Sequence, residues 1–180
     1  MDSLTANPTA LGLFSFGMTT LLLNLHNIGL FGFDLTIMAM GLCFGGVAQV
    51  IAGIMDFKRN SMFGATAFTA FGFFWISLIM IKIGVFETPV EDAALGAYLA
   101  IWGIMAFIML LGTLKAGWSL KLVFITVVPL FFVLAAGTIL GNPDIVKVAG
   151  VIGIICGSLA IYTAGGEILK EQYGKEIVPL

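Results

Sequence analysis

The chain has 180 residues, of which 60% are hydrophobic and only 10% charged, against about 25% charged in ordinary soluble domains, so a water-soluble fold is excluded. A formal net charge of −2 with a single histidine leaves no basic face that could grip nucleic acid or another polyanion. Little polypeptide remains outside the apolar stretches to build a separate catalytic or regulatory domain, so function is sought inside the membrane.

In chain order, the apolar runs and their punctuation predict transmembrane helices over about 10–31, 35–55, 62–84, 93–112, 118–140 and 145–168, each near the ~20 residues that cross a bilayer core. The first run is read as a helix and not a signal peptide, because its leader carries only Asp2 where a basic segment is expected. Short turns join the runs: Phe33-Asp34, Asp56 to Asn60, Glu87 to Asp92, Lys115 to Ser119, and Asn142-Pro143-Asp144. The expected fold class is an all-α membrane protein with six transmembrane helices per protomer. Its single domain covers 10–168, between an N-terminal segment 1–9 and a tail 169–180. Lys58, Arg59, Lys115, Lys121, Lys170 and Lys175 fall on one side, and only Lys82 and Lys147 on the other. That asymmetry places both termini in the cytoplasm, with Glu87, Glu91 and Asp92 in a solvated outer loop.

Small residues recur at helical spacing in Gly41 with Gly45, Ala48 with Ala52, Gly137 with Gly141 and Gly153 with Gly157, which suits close helix packing in lipid. Sixteen phenylalanines exceed what one small bundle buries, which points to contact with lipid or with further copies of the chain. Cys43 and Cys156 lie inside apolar runs and lack zinc or redox spacing, so they are read as small hydrophobes, and no metal or cofactor is expected.

A polar group at membrane depth requires a partner or a function. The densest set lies on the first span, where Thr20, Asn24 and Asn27 share a helical stripe beside Thr19 and His26. Gln49 on the second span is its expected cross-helix partner, and Thr66 and Thr69 on the third add hydroxyls. Either these groups tie helices together or they hydrate a small polar solute; as a set they favour a pathway. His26 is the one side chain whose ordinary titration range lies near neutrality, which makes it a candidate proton site. Glu167 is expected in an interfacial ion pair with Lys170. Pro129 should kink the fifth span and free the carbonyl of Ile125, in a segment bordering the lumen.

The opening Asn7-Pro8-Thr9-Ala10-Leu11-Gly12-Leu13, followed by Phe16-Gly17-Met18-Thr19-Thr20 and Asn24-Leu25-His26-Asn27, closely resembles the signature of the acetate uptake transporter family, the succinate/acetate permeases. Further matches run through Gly45 to Gln49, Phe63 to Thr69, Gly112 to Lys115, and Ala160-Ile161-Tyr162 with Gly166-Glu167. The resemblance implies a homohexamer in the cell (inner) membrane, with a pore inside each protomer for acetate and other small carboxylates, acting as an anion channel or a proton-coupled symporter. It implies a constriction by Phe16, Phe71 and Val127, a signature segment at Asn7, Pro8, Leu11 and Gly12, and a small residue near the constriction at Ala160. The expected substrate-binding set is Thr20, Asn24, Asn27, Gln49, Thr66 and Ala160. Three positions depart from the family pattern: Ala10 replaces proline, Phe71 replaces tyrosine, and Val127 replaces leucine. The last widens the aperture, so propionate or lactate is expected to pass. An intramembrane enzyme is the alternative of another class, but clustered His, Asp, Glu or Cys is lacking at depth. A purely structural membrane protein would leave the polar stripe unexplained.

Overall fold

A computed structural model describes residues 6–180; Asp2 and the rest of 1–5, the first part of the expected N-terminal segment, lie outside the described residues. Six helices long and apolar enough to cross a membrane follow one another: α1 Thr9–Asn27, α2 Leu35–Lys58, α3 Met62–Lys82, α4 Asp92–Gly112, α5 Trp118–Ile139 and α6 Pro143–Tyr173. No strand occurs among the described residues.

Helix ends follow chemical signals that hydropathy passes over. α1 stops at Asn27, short of the expected 31, because Gly29 adopts φ +89°. The N–H groups of Gly29 and Leu30 then turn back to the carbonyls of His26 and Leu25 at 2.8 and 3.1 Å. The same two-bond stop ends α2, α3 and α5, with Asn60, Gly84 and Gly141 in the left-handed conformation. Gly141 is therefore a turn residue and not half of a packing pair with Gly137, whose own neighbour is Val146. At the starts, Asp34 accepts the N–H groups of Thr36 and Ile37 at 3.0 and 3.3 Å. Asn142 likewise accepts those of Asp144 and Ile145, just ahead of Pro143 at the first turn. α6 continues to Tyr173, past the expected 168, until Gly174 ends it.

Residues Gly41–Ala48 of α2 wind as a π-helix, a wider turn than the α form. The buried residues Ile37, Gly41, Gly45 and Gln49 repeat every four positions. At 3.6 residues per turn that repeat would drift by ~40° per step, and the wider turn keeps it facing the bundle.

α1 lies along α6 and α2, α5 lies along α6 and α4, and α2 lies along α3, with a thinner α3–α4 seam closing the ring. The α1–α6 contact is backbone on backbone: a Cβ at Gly17 would lie 2.8 Å from the Gly157 carbonyl oxygen, and one at Gly157 would lie 2.7 Å from that of Gly17. Phe71 is the hub of the aromatic core, with ring centroids 5.6 Å from Phe16, 6.1 Å from Phe131, 6.3 Å from Trp102 and 6.4 Å from Phe124. Ile101, Ile108 and Val148 lie exposed on the perimeter, as a lipid-facing surface requires. The segment around Pro129 borders the interior as expected, through Val127 and Leu130, while the Ile125 side chain is exposed. One expectation is corrected. Glu167 makes no ion pair with Lys170; the ion pairs among the described residues are Arg59–Asp56 and Lys147–Asp144.

Candidate functional site

Three voids lie in file between α1, α3 and α5. The first, of about 230 Å³, sits beside the α2–α3 turn and is bordered by Leu13, Phe16, Gln49, Asp56, Phe71 and Val127, among others. The second holds only about 30 Å³, room for about one water molecule. Phe16 and Val127 border both of these voids, so the passage is narrowest just past them. The third, of about 120 Å³, shares Leu23, Leu78 and Leu134 with the second and reaches His26, Asn27, Lys82 and Thr138. From Thr9 to His26 the file follows α1 for ~26 Å at 1.5 Å per residue, close to the thickness of a hydrocarbon core.

Phe16, Phe71 and Val127 are 6%, 3% and 1% exposed and all border the first void, pointing inward and not to lipid. The Phe16 and Phe71 rings meet at 48°, and Phe71 is held from behind by a near-parallel stack on Phe131 at 10°. This leaves a wall of aromatic edges with no hydroxyl at the narrow level.

The polar stripe on α1 is bonded mainly along its own helix. Asn24 Nδ2 donates to the Thr20 carbonyl at 2.8 Å, and Asn27 Nδ2 donates to Asn24 Oδ1 at 3.0 Å. Thr20 and Asn24 line the second void and Asn27 the third. Gln49 faces the first void and not the stripe, so the expected cross-helix partnership is not made; its Oε1 is buried without a partner. Thr66 is exposed on the outer face of α3, which removes it from the passage. Ala160 is fully buried against Gly17, where a longer side chain would wedge α1 from α6, and it borders none of the three voids. His26 lies at the third void, its Nδ1 donating to the Phe31 carbonyl at 2.9 Å and its ring 5.6 Å from Phe33.

The signature segment builds the mouth of the first void. Asn7 Oδ1 accepts from the Thr9 N–H and hydroxyl at 3.1 and 2.8 Å and from Arg59 Nη1. Arg59 Nη1 in turn reaches the buried Asp56 at 3.4 Å. The segment thus ties the start of α1 to the end of α2. Pro8 is buried at the helix start, and Gly12 leaves room for the Phe68 ring, which a Cβ would meet at 2.5 Å. Leu11 is exposed and takes no part in the mouth.

Two contributors escaped the sequence reading. Trp75 and Thr20 both border the second void, and the Trp75 indole Nε1 and the Thr20 hydroxyl are both buried and unpartnered. A mid-span tryptophan carries one donor that must be satisfied, and that was the available signal. Lys82 closes α3 at the third void; in the sequence it looked like an ordinary interfacial lysine.

Residues 2–178 match the profile of the GPR1/FUN34/yaaH family. The chain is 48% identical to the "Succinate-acetate/proton symporter SatP" of Escherichia coli (strain K12), over 97% of this chain and 95% of that one. It is 30% identical to the "Ammonia transport outward protein 2" of Saccharomyces cerevisiae, over 93% of this chain and 63% of that one. A solved structure described as that of the bacterial acetate channel SatP superposes with a TM-score of 0.94 at 48% identity, covering 97% of this chain and 98% of the other.

Proposed function

The chain belongs to the GPR1/FUN34/yaaH family, and we propose from that membership and from the file of voids that it carries acetate and related short carboxylates across a membrane, through a path inside each protomer. The observation that carries this reading is the file of three voids that share lining residues, pinched beside Phe16, Phe71 and Val127. The chain is a multi-pass membrane protein, and its relatives are transporters and channels rather than enzymes.

In this reading a carboxylate occupies the first void, where the Gln49 amide NH2 can donate to it, beside the mouth built by Asp56 and Arg59. It then loses part of its water shell to pass the apolar wall. Beyond it, Thr20 and Trp75 line the second void and hold a buried hydroxyl and indole N–H, both unpartnered, as neutral donors for it to recruit. A narrow apolar segment raises a desolvation barrier, and weak binding on either side permits release. Selection is therefore mainly by girth. Lysine and arginine counts favour the first void opening to the cytoplasm, together with both termini. The exposed apolar perimeter fits assembly of copies as a homohexamer in the cell (inner) membrane. His26, at the opposite mouth, is the candidate proton carrier if flux is coupled.

The test is uptake of radiolabelled acetate into proteoliposomes, with propionate, lactate and succinate as competitors. Saturable uptake that short monocarboxylates inhibit is the expected result; no uptake above empty liposomes removes the proposal. Collapsing the proton gradient with an ionophore separates symport, which stops net accumulation, from passive flow, which does not. A His26→Gln variant that keeps full coupling excludes the imidazole as carrier.

A further inference from the structure

A cation stands near each end of the file of voids, Arg59 through its partner Asp56 and Lys82 as a lining residue, and only the first is neutralised. Arg59, at the first mouth, is committed to Asp56 and Asn7. Lys82, at the other mouth, has no carboxylate within ion-pair distance among the described residues. Glu91, on the same side of the bundle, borders a separate surface cleft and not this void.

The void beside Lys82 is two-faced. Leu23, Leu95, Leu99 and Val146 give it an apolar wall, while Lys82, Asn27, His26 and Thr138 give it a polar rim. On that rim the Thr138 hydroxyl already donates to the Leu134 carbonyl at 2.8 Å, and His26 Nδ1 already donates to Phe31. Asn27 Nδ2 uses one N–H on Asn24 Oδ1 and keeps a second. The donors left for a guest are thus the Lys82 ammonium and one amide N–H. That is a complement for a small acid with a charged head and a short hydrocarbon tail, and it repels a cation.

We propose that this void is a capture site for carboxylates at the mouth formed by the ends of α1, α3 and α5, with Lys82 as its charged residue and Asn27 as its neutral donor. The site rests on the reading that carboxylates use this passage. For an acid entering at this mouth the site acts before the narrow level, so it sets how much acid is held there and not how fast the acid crosses the apolar wall. Because Lys82 is exposed, its hold is weak and screened by salt, which suits a site that must also release.

The alternative role for Lys82 is structural, since a cation at a helix C-terminus interacts favourably with the helix dipole. Initial rates of acetate uptake against acetate concentration separate the two, measured for the wild type, Lys82→Gln and Lys82→Arg at low and high salt. Removing one partly solvated charge should raise KM roughly three- to tenfold at low ionic strength, with the maximal rate within about twofold. The gap should close at roughly half-molar salt, where the screening length is only a few ångströms. Lys82→Arg should stay near the wild type. An unchanged KM in Lys82→Gln at low salt overturns the site, as does an Arg variant as impaired as the Gln variant. A wild-type protein that takes up no carboxylate at all counts instead against the transport reading on which the site rests.

Discussion

Replacing Phe16 with alanine tests the narrow level most directly, because this ring alone with Val127 borders both the first and the second void. Its removal merges a space of about 230 Å³ with one of about 30 Å³ and lets water stay with the anion where the wild type forces it off. Withholding one hydrogen bond from a carboxylate costs about 1.5–3 kcal/mol, so relief of one such bond should speed acetate about ten- to hundredfold. Bulkier acids, which lose more water at the wall, should gain more than acetate. Truncating a core phenylalanine costs about 3–5 kcal/mol of stability. The cost here should lie near the lower figure, since the site already adjoins open space and water can fill it. Uptake of labelled acetate, propionate and lactate into proteoliposomes measures the effect, with thermal unfolding in detergent as the check on folding. A folded Phe16→Ala protein with wild-type rates and a wild-type ranking of acids would refute the argument that this ring sets the barrier.

Four further outcomes are expected. Trp75→Phe keeps the aromatic bulk but removes the indole N–H at the second void, and should lower the maximal acetate rate about three- to tenfold, the equivalent of one lost hydrogen bond; an unaltered rate would show that this donor never meets the solute. Gly157→Val should prevent α1 from seating on α6, since even a Cβ there would lie 2.7 Å from the Gly17 carbonyl oxygen. Its melting temperature or yield of folded protein should collapse, whereas Gly165→Ala, with open space around it, should be neutral. Asp34→Ala removes the cap of α2 and should cost about 0.5–2 kcal/mol, with Asp34→Asn retaining most of it; equal melting temperatures for all three proteins would deny the cap its role. Thr66→Ala should leave transport unchanged, and a loss of uptake would mean that its outward face is functionally engaged.

The six spans are legible because apolar length is imposed by the bilayer and is insensitive to detail. Their ends are less so. Ile28, Leu30 and Phe31 extend the apolar run beyond α1, and only the backbone of Gly29 shows that the helix has stopped. The inward direction of Phe16, Phe71 and Val127 came from the family resemblance, since hydropathy cannot distinguish a phenylalanine facing lipid from one facing a void. Thr66 and Ala160 illustrate the converse limit. A lone hydroxyl in an apolar span can sit on the exposed perimeter, and a small residue can serve backbone contact as well as a lumen. Lys82 was hidden by its position at a helix end, where a lysine usually signals only the interface. Its relevance depends on the absence of a nearby carboxylate, which is a property of three dimensions.

The wide turn in α2 ties together positions that a uniform coil would scatter. Because Ile37, Gly41, Gly45 and Gln49 share one side at a four-residue repeat, the segment holds about one residue more than a uniform α-helix would, and deleting one amino acid from 42–48 with rewinding as α would leave Gly41 and Gln49 within ~20° of their present faces. An added residue has no such outlet and would swivel Gly41 by ~100°, out of the groove it shares with Ile79 and Trp75. Length in this stretch is thus constrained in one direction: a single loss should be absorbed, while a gain should not.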